Sequence, residues 1–232
     1  MDNVIVTGAS RGLGAAIAAR LAADGFHVLA VARKEAAASE RVTPIAFDLA
    51  DTAAIPEFVR SLRQRFGPIY GLVNNAGLGT EGLLANMPDA DIEALIRLNT
   101  LSPILLSKYV VRGMMAQGRG RVVSISSIVA STGFNALSVY AATKASLVGF
   151  TRSLAREVGR VGVTVNAIAP GFIDTEMTRS LSEKDRERIA ARSALRRLAE
   201  PQDVAAMAAY LMGEGGRNVS GAVLTVDAGS TA

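Results

Sequence analysis

The chain has 232 residues, of which half are apolar and 20% are charged, and its mean hydropathy is +0.29. This length and composition predict one domain with a large buried core and exclude a disordered or fibrous chain. The formal net charge of +4 favours acidic small molecules or an acidic protein as partners rather than nucleic acid, because the basic residues are scattered and only 5% of the residues are aromatic.

The absence of cysteine excludes disulfides, thiolate nucleophiles and zinc–thiolate sites. The single histidine, His27, lies in an apolar run typical of a strand, so we expect neither a histidine-based catalytic triad nor a metal site. No apolar run approaches the roughly 18 residues of a membrane span. A strand-like run at residues 4–6 leaves no room for a signal peptide before it, so we expect a cytoplasmic protein without membrane contact.

Short apolar runs alternate with longer helical patterns along the chain. The runs are continuous, which predicts strands buried on both faces, at residues 3–7, 26–32, 43–47, 69–73, 121–125, 163–168 and 222–226. Helical patterns lie between them, at residues 13–24, 52–66, 89–117, 138–158 and 201–212. This alternation predicts an α/β fold with a single domain over residues 1–232, namely a Rossmann-like, doubly wound parallel sheet of about seven strands with helices on both faces.

The fold predicts where a ligand would bind. In doubly wound sheets the ligand crevice lies at the carboxyl ends of the strands, at the point where the strand order reverses. One long region without a periodic pattern, residues 171–198, directly follows the sixth predicted strand and is polar and charged. We therefore predict that residues 171–198 form a mobile substrate lid over this crevice.

A glycine-rich segment follows the first predicted strand and opens the first helix, with the spacing Gly-x-x-x-Gly-x-Gly. Gly8 permits the tight turn, Gly12 lets the backbone approach a pyrophosphate, and Gly14 allows close packing. The strand before and the helix after this segment favour a dinucleotide site over a plain tight turn. The cofactor contacts predicted here are Gly8, Ser10, Arg11, Gly12, Leu13 and Gly14.

The end of the second predicted strand indicates which dinucleotide is bound. An acidic residue there would bind the ribose 2′-hydroxyl of NAD, but the sequence has Arg33 and Lys34 instead. Arg33, together with Arg11 in the glycine turn, could bind a 2′-phosphate through charge-assisted hydrogen bonds. The alternative is that these are solvated surface charges. We predict NADP(H) as the cofactor.

Tyr140 and Lys144 point to proton transfer. They lie four residues apart in a predicted helix and therefore share one face. A nearby ammonium group favours the phenolate, so we expect Lys144 to lower the pKa of Tyr140 and to make it a proton donor at neutral pH. Only four of the 25 basic residues are lysine, which makes a lysine at this position unexpected by chance.

Together with the glycine turn, four further segments resemble the short-chain dehydrogenase/reductase family along nearly the whole chain. They are residues 74–77 after the fourth strand, Asn99 in the following helix, Ser127 with the run from Tyr140 to Lys144, and residues 170–175 after the sixth strand. Within this family, the stretch from residues 153–158 through Asn166 to residues 177–178 is most similar to the 3-oxoacyl-[acyl-carrier-protein] reductases.

This resemblance implies a role for each motif. Tyr140 would donate the proton, Lys144 would also bind the nicotinamide ribose, Ser127 would hold the substrate carbonyl oxygen, and Asn99 would bind a water in a proton relay. Ser126 is the alternative to Ser127, which the family spacing favours. The remaining cofactor contacts that the resemblance implies are Asp48, Leu49, Asn75, Ala76, Gly77, Pro170, Gly171, Ile173 and Thr175.

The resemblance also implies a function in fatty acid biosynthesis. It is the NADPH-dependent reduction of a 3-oxoacyl thioester, borne by an acyl carrier protein, to the 3-hydroxyacyl form by a homotetramer. Arg119, Arg121 and Arg160 are candidate contacts for the acidic carrier. The alternatives are a reductase of coenzyme A thioesters or small free ketones, and a non-catalytic dinucleotide-sensing regulator. The set of Asn99, Ser127, Tyr140 and Lys144 argues against the regulator.

Overall fold

The computed structural model describes residues 1–34, 38–173 and 183–232. Its centre is a seven-stranded sheet in the order β3-β2-β1-β4-β5-β6-β7, and all neighbouring strands are parallel. The strands are β1 (Asn3–Thr7), β2 (His27–Ala32), β3 (Val42–Ala46), β4 (Ile69–Asn74), β5 (Gly120–Ile125), β6 (Val163–Pro170) and β7 (Val223–Val226). The order reverses between β1 and β4, so the crevice lies at the carboxyl ends of these two strands.

Helices cover both faces of the sheet. They are α1 (Gly12–Ala23), α2 (Ile55–Phe66), α3 (Asp89–Ile96), α4 (Ser102–Gln117), α5 (Val129–Thr132), α6 (Ser138–Val158), α7 (Glu183–Arg192) and α8 (Pro201–Met212). Side chains alternate across the sheet in β1. Val4 and Val6 join the core formed with α1 and α8, whereas Ile5 joins the core formed with α2 and α4. This architecture confirms the predicted fold class.

Two predicted elements differ from the structure. The helical pattern over residues 89–117 is interrupted by a π-helical turn, Arg97–Leu101, between α3 and α4. The expectation of one long irregular region is wrong for α7, which is a helix without a buried residue. α7 is stabilised locally by acidic residues in its first turn, a basic residue in its last turn and the ion pair of Arg188 with Asp185.

Residues 174–182 of the predicted lid lie outside the described residues, and a mobile lid over residues 171–198 stays a prediction. His27 lies at the amino edge of the sheet, away from the crevice, with Nδ1 2.7 Å from Oδ1 of Asn3 and Nε2 2.9 Å from Oγ1 of Thr43. It therefore links the first three strands. Across the described ranges, we find no helix that is both long and apolar enough to cross a membrane.

Candidate active site

The glycine turn is attached to both neighbouring strands. Gly8 has a left-handed φ of 67°, and its N–H donates to the carbonyl oxygen of Val31 in β2 at 2.8 Å. A Cβ on Gly14 would overlap the carbonyl oxygen of Gly8 and lie 2.5 Å from Nδ2 of Asn75. Gly14 is therefore required for the close packing of α1 against the turn, whereas Gly12, with a φ of 54°, has open space beside it.

The beginning of α1 is suited to an anion. The cap residue, Arg11, makes no side-chain capping hydrogen bond, and the first turn of α1 holds no acidic residue. The first N–H groups of a helix lack intrahelical acceptors, and together with the helix dipole they favour negative charge. The residues present thus fit the pyrophosphate of a dinucleotide at the carboxyl edge of β1.

The different surroundings of Gly12 and Gly14 lead to a testable prediction. Gly14→Ala forces backbone atoms apart, so we expect the free energy of unfolding to fall by about 3 kcal/mol and Tm by roughly 5–10 °C. Gly12→Ala meets open space, so its main effect should be weaker cofactor binding with a smaller loss of Tm. Thermal unfolding without cofactor and calorimetric titration with NADPH measure both quantities. Equal losses of Tm in the two variants would contradict this assignment.

The end of β1 is joined to the turn after β4 through Thr7. The buried hydroxyl of Thr7 accepts hydrogen bonds from the backbone N–H groups of Asn75 at 2.9 Å and Ala76 at 3.0 Å. The Asn75 side chain donates in return to the carbonyl oxygen of Thr7 at 2.9 Å. These bonds hold the turn over residues 74–77 at the switch point. Thr7 was not among the site residues predicted from the sequence, although a polar residue that ends a buried strand was a usable signal.

The residues predicted to bind the adenosine end of the cofactor follow the carboxyl ends of β1, β2 and β3. Arg11 and Arg33 are both exposed, one in the glycine turn and the other just after β2. Asp48 is exposed after β3, and its Oδ1 accepts a hydrogen bond from the N–H of Ala50 at 2.9 Å. The structure thus brings both arginines and Asp48 to the carboxyl edge of three adjacent strands, β1, β2 and β3.

Ser127 and Tyr140 lie together at the carboxyl end of β5. A side-chain hydrogen bond with Ser127 lowers the pKa of the Tyr140 phenol, but burial outweighs it and raises that pKa above its ordinary value of 10. The phenol therefore holds its proton at neutral pH. Ser126, the alternative to Ser127, is buried and donates to the backbone carbonyl of Lys144 at 2.9 Å, so its hydroxyl is engaged within the fold.

Lys144 does not act on Tyr140 as expected from the spacing. Its buried Nζ donates to the carbonyl oxygen of Ile125 at 2.8 Å and lies 5.6 Å from the centroid of the Tyr140 ring. The expectation that Lys144 lowers the pKa of Tyr140 is wrong for this arrangement, because the ammonium is held by the end of β5. Burial instead lowers the pKa of Lys144 itself, to about 8.

Asn99 lies in the π-helical turn and is buried. Its Oδ1 accepts from the N–H of Leu78, and its Nδ2 donates to the carbonyl oxygen of the same residue, both at 2.8 Å. Nδ2 also lies 3.2 Å from the hydroxyl oxygen of Thr143. A Cβ on Gly77 would be 3.1 Å from Oδ1 of Asn99 and 3.6 Å from Nζ of Lys144, so Gly77 lies between these two polar groups.

Ser102, which was not predicted from the sequence, connects two parts of the crevice. Its N–H closes the π-helical turn on the carbonyl oxygen of Arg97, and its hydroxyl oxygen lies 2.8 Å from that same oxygen. The hydroxyl is also 2.6 Å from the carbonyl oxygen of Leu49, which follows β3. π-helical turns are frequent at functional sites. Ser102 thus connects the predicted adenine-side loop to the turn that holds Asn99.

The loop after β6 forms the remaining wall. Pro170 accepts a hydrogen bond from the N–H of Ile128 at 3.0 Å, and the N–H of Gly171 donates to Val226 in β7 at 3.0 Å. A Cβ on Gly171 would lie 2.6 Å from that of Asp227, so the chain there is close-packed. Ile173 is buried. Thr175, the last contact that the resemblance implies, lies outside the described residues.

The three candidate carrier contacts lie at the opposite edge of the sheet. Arg121 is buried at the amino end of β5, with its guanidinium over the ring of Tyr70, so it is not available for docking. Arg119 is exposed and forms an ion pair with Asp2. Arg160, in the short helix before β6, is exposed as well. None of the three adjoins the crevice of its own chain.

A glycine turn that fits a pyrophosphate, and a half-buried tyrosine beside a buried lysine at the same edge of a parallel sheet, are the features expected of a nicotinamide-dependent oxidoreductase. The model of the short chain dehydrogenase family matches residues 2–186. Together with the similarities below, this match shows that the chain belongs to that family. Within the parts of the chain that the structure describes, no group of three or more His, Asp or Glu side chains is placed to hold a metal ion.

Curated relatives match over nearly their whole length. The 3-oxoacyl-[acyl-carrier-protein] reductase FabG of Escherichia coli K12 is 40% identical over 232 residues, which cover 97% of this chain and 95% of that protein. The reductase MabA of Mycobacterium tuberculosis H37Rv is 36% identical over 227 residues, which cover 98% of this chain and 92% of that protein. A crystal structure from Agrobacterium tumefaciens, provisionally named a gluconate dehydrogenase, matches with a TM-score of 0.92 and 26% identity. The match covers 99% of this chain and 95% of that one.

Proposed function

We propose that this enzyme reduces the ketone of a 3-oxoacyl thioester, borne by an acyl carrier protein, to the 3-hydroxyacyl form with NADPH. The observation that carries this proposal is the 40% identity, over nearly the whole of both chains, to a reductase named for that reaction. The proposed setting is fatty acid biosynthesis in the cytoplasm, with a homotetramer as the assembly.

The carboxyl edge offers groups for each part of the cofactor. The N-terminus of α1 would bind the pyrophosphate, Arg11 and Arg33 the 2′-phosphate, and the loops that hold Asp48 and Asn75 the adenosine. Pro170, Gly171 and Ile173 would border the nicotinamide, and Thr175 stays a prediction. When bound, NADPH would supply the hydride that the carbonyl carbon of the substrate accepts, and would itself be oxidised to NADP⁺.

The substrate oxygen would lie between the hydroxyl groups of Ser127 and Tyr140. Both can donate a hydrogen bond to it, which stabilises the negative charge that develops on that oxygen during reduction. The proton then passes from Oη of Tyr140 to the substrate oxygen, and the C=O group becomes an alcohol. Lys144 would bind the nicotinamide ribose, and a relay near Asn99 would restore the proton that Tyr140 gives up.

The proposed NADPH preference rests on the exposed arginines at the end of β2 and in the glycine turn. Charge-assisted hydrogen bonds contribute roughly 1.5–3 kcal/mol each, so Arg33→Asp should reduce the ratio of kcat/KM for NADPH to that for NADH by about tenfold or more. Arg11→Ala should have a smaller effect. Steady-state kinetics with both cofactors measure the ratio. Arg65→Asp, on the exposed side of α2, makes the same charge change elsewhere and should leave the ratio unaltered.

The function itself is tested by following nicotinamide absorbance with three substrates: an acetoacetyl group on acyl carrier protein, the same group on coenzyme A, and a small free ketone. We expect the carrier-bound substrate to have the highest kcat/KM. A higher kcat/KM for the coenzyme A thioester or for the free ketone would show that the enzyme is a reductase of that substrate and not of carrier-bound thioesters. Cofactor binding without any turnover would point to the sensing regulator, which has no need of Tyr140.

A further inference from the structure

An aromatic pair borders the predicted position of the substrate carbonyl. Phe134 lies in the loop between Ser127 and Tyr140, and Phe172 follows Gly171 in the loop after β6. Their ring centroids are 5.7 Å apart, and the ring planes meet edge to face at 65°. Such a pair is a favourable aromatic arrangement. It connects two of the loops that line the crevice.

The backbone around Phe134 is well anchored. Gly133 and Ala136 both have left-handed φ values, of 69° and 63°. The N–H of Leu137 donates to the carbonyl oxygen of Phe134 at 3.2 Å, and the N–H of Gly82 donates to that of Ala136 at 2.9 Å. A left-handed alanine is a strained conformation that persists only where its surroundings hold it. Phe134 is thus presented in a defined position.

Despite this anchoring, the Phe134 side chain is 56% exposed. Leu83, directly after Gly82, is 57% exposed, and Leu84 is 58% exposed. The hydrogen bond from Gly82 to Ala136 brings these leucines beside the Phe134 loop. Exposed apolar groups that lie together mark binding surfaces. We call the surface formed by Leu83, Leu84 and Phe134 the apolar rim.

A fourth exposed apolar side chain reaches the same edge from the segment after α7. Leu195 is 60% exposed, and its N–H donates to the carbonyl oxygen of Ala228 at 3.0 Å. Ala228 follows Asp227, which packs against Gly171. Leu195 is therefore attached to the same turn as the loop that carries Phe172, so exposed apolar residues lie on three segments that these contacts connect.

We infer that the apolar rim, through Phe134, binds the hydrocarbon chain of the substrate and sets a preference for long acyl chains. This inference rests on the proposed function, since it assigns the rim to the part of the thioester substrate beyond its ketone. Phe134 lies seven residues after Ser127 and six before Tyr140, in the loop that joins them. An acyl chain that extends from a carbonyl held by the hydroxyl groups of Ser127 and Tyr140 would pass this loop. Both the acyl chain and the rim are apolar, so contact between them is favourable.

The test compares reduction of acetoacetyl, 3-oxooctanoyl and 3-oxododecanoyl thioesters on one common carrier. In the unmodified enzyme we expect kcat/KM to rise with chain length. In Phe134→Ala we expect about a tenfold loss for the dodecanoyl substrate, with a much smaller loss for acetoacetyl, because lost apolar contact in a pocket is worth about that factor. Phe134→Leu keeps an apolar side chain, so its kcat/KM for the dodecanoyl substrate should lie between those of the unmodified enzyme and Phe134→Ala.

Tyr210→Ala is the matched control, because Tyr210 is a similarly exposed aromatic residue, 51% exposed, on α8. It should leave the dependence on chain length unchanged. An equal loss for all chain lengths in Phe134→Ala would overturn the inference, since Phe134 would then only hold the Ser127–Tyr140 loop. A gain for the dodecanoyl substrate would also overturn it, by making Phe134 a steric stop. If the unmodified enzyme reduces none of these thioesters, the proposed function itself fails.

Discussion

Tyr140→Phe is expected to lower kcat by about 10²- to 10⁴-fold, the usual contribution of general acid catalysis, while cofactor binding is retained. The phenylalanine ring fills the same space, so the loss is confined to the donated proton and to the hydrogen bond with Ser127. Because burial keeps the pKa of Tyr140 above 10, the tyrosine is protonated throughout the neutral range. Steady-state kinetics and calorimetric titration with NADPH measure the two effects separately.

Tyr70→Phe provides the matched control for this experiment. Tyr70 lies at the amino edge of the sheet, and its hydroxyl donates to the carbonyl oxygen of Met212 at 3.1 Å. Its removal should lower the free energy of unfolding by about 1 kcal/mol without changing kcat. Ser127→Ala should reduce kcat less than Tyr140→Phe, since it removes one of two hydrogen-bond donors but not the proton. Near-full activity of Tyr140→Phe would show that the proposed mechanism is wrong.

Lys144→Met is expected to abolish most activity and at the same time to stabilise the protein without cofactor. The ammonium is completely buried, and burial lowers its pKa from 10.5 to about 8. At neutral pH the folded protein therefore bears a cost of roughly 3 kcal/mol for keeping this group charged. Methionine removes that cost, although it also removes the hydrogen bond to Ile125 and the ammonium group proposed to bind the nicotinamide ribose.

The pH dependence of stability also tests the cost of burying the Lys144 ammonium. Below pH 8 both the folded and the unfolded chain hold the Lys144 proton, and the cost of burial is present in full. As the pH rises above 8 the folded state loses this proton while the unfolded state, with a pKa near 10.5, keeps it. The unfolded state then binds more protons, so the free energy of unfolding rises with pH from 8 towards 10. Lys144→Met should lack this rise.

Lys108→Met, which replaces an exposed lysine on α4, should behave like the unmodified protein in both measurements. Urea unfolding at a series of pH values gives the free energies, and kinetics at each pH give the activity. A Lys144→Met protein that is less stable at neutral pH would show that the hydrogen bond to Ile125 outweighs the burial of charge. Retained activity would remove Lys144 from the mechanism.

Much of the fold was predictable because it depends on local patterns. Continuous apolar runs indicated all seven strands to within two residues, since strands buried on both faces need apolar side chains throughout. The expected burial on both faces is wrong for β3 and β7, which are only partly buried because they are the two edge strands of the sheet. The position of the glycine turn was predictable for a similar reason, because a sharp turn and the close packing of α1 against it exclude larger side chains. The π-helical turn at residues 97–101 was not predictable, because it extends a helical pattern by one residue without changing its composition.

The sequence by itself determined the parallel sheet, the edge on which the crevice lies and the residue types that gather there. Only the tertiary structure decided their contacts: Thr7 with the turn after β4, Ser102 between Leu49 and the π-helical turn, and Lys144 on the carbonyl oxygen of Ile125. The spacing of Tyr140 and Lys144 shows that they share a helix face, but pKa values depend on burial and on groups from other elements. Contacts such as that of Asn75 with Thr7 join residues 68 positions apart, and no local periodicity encodes them.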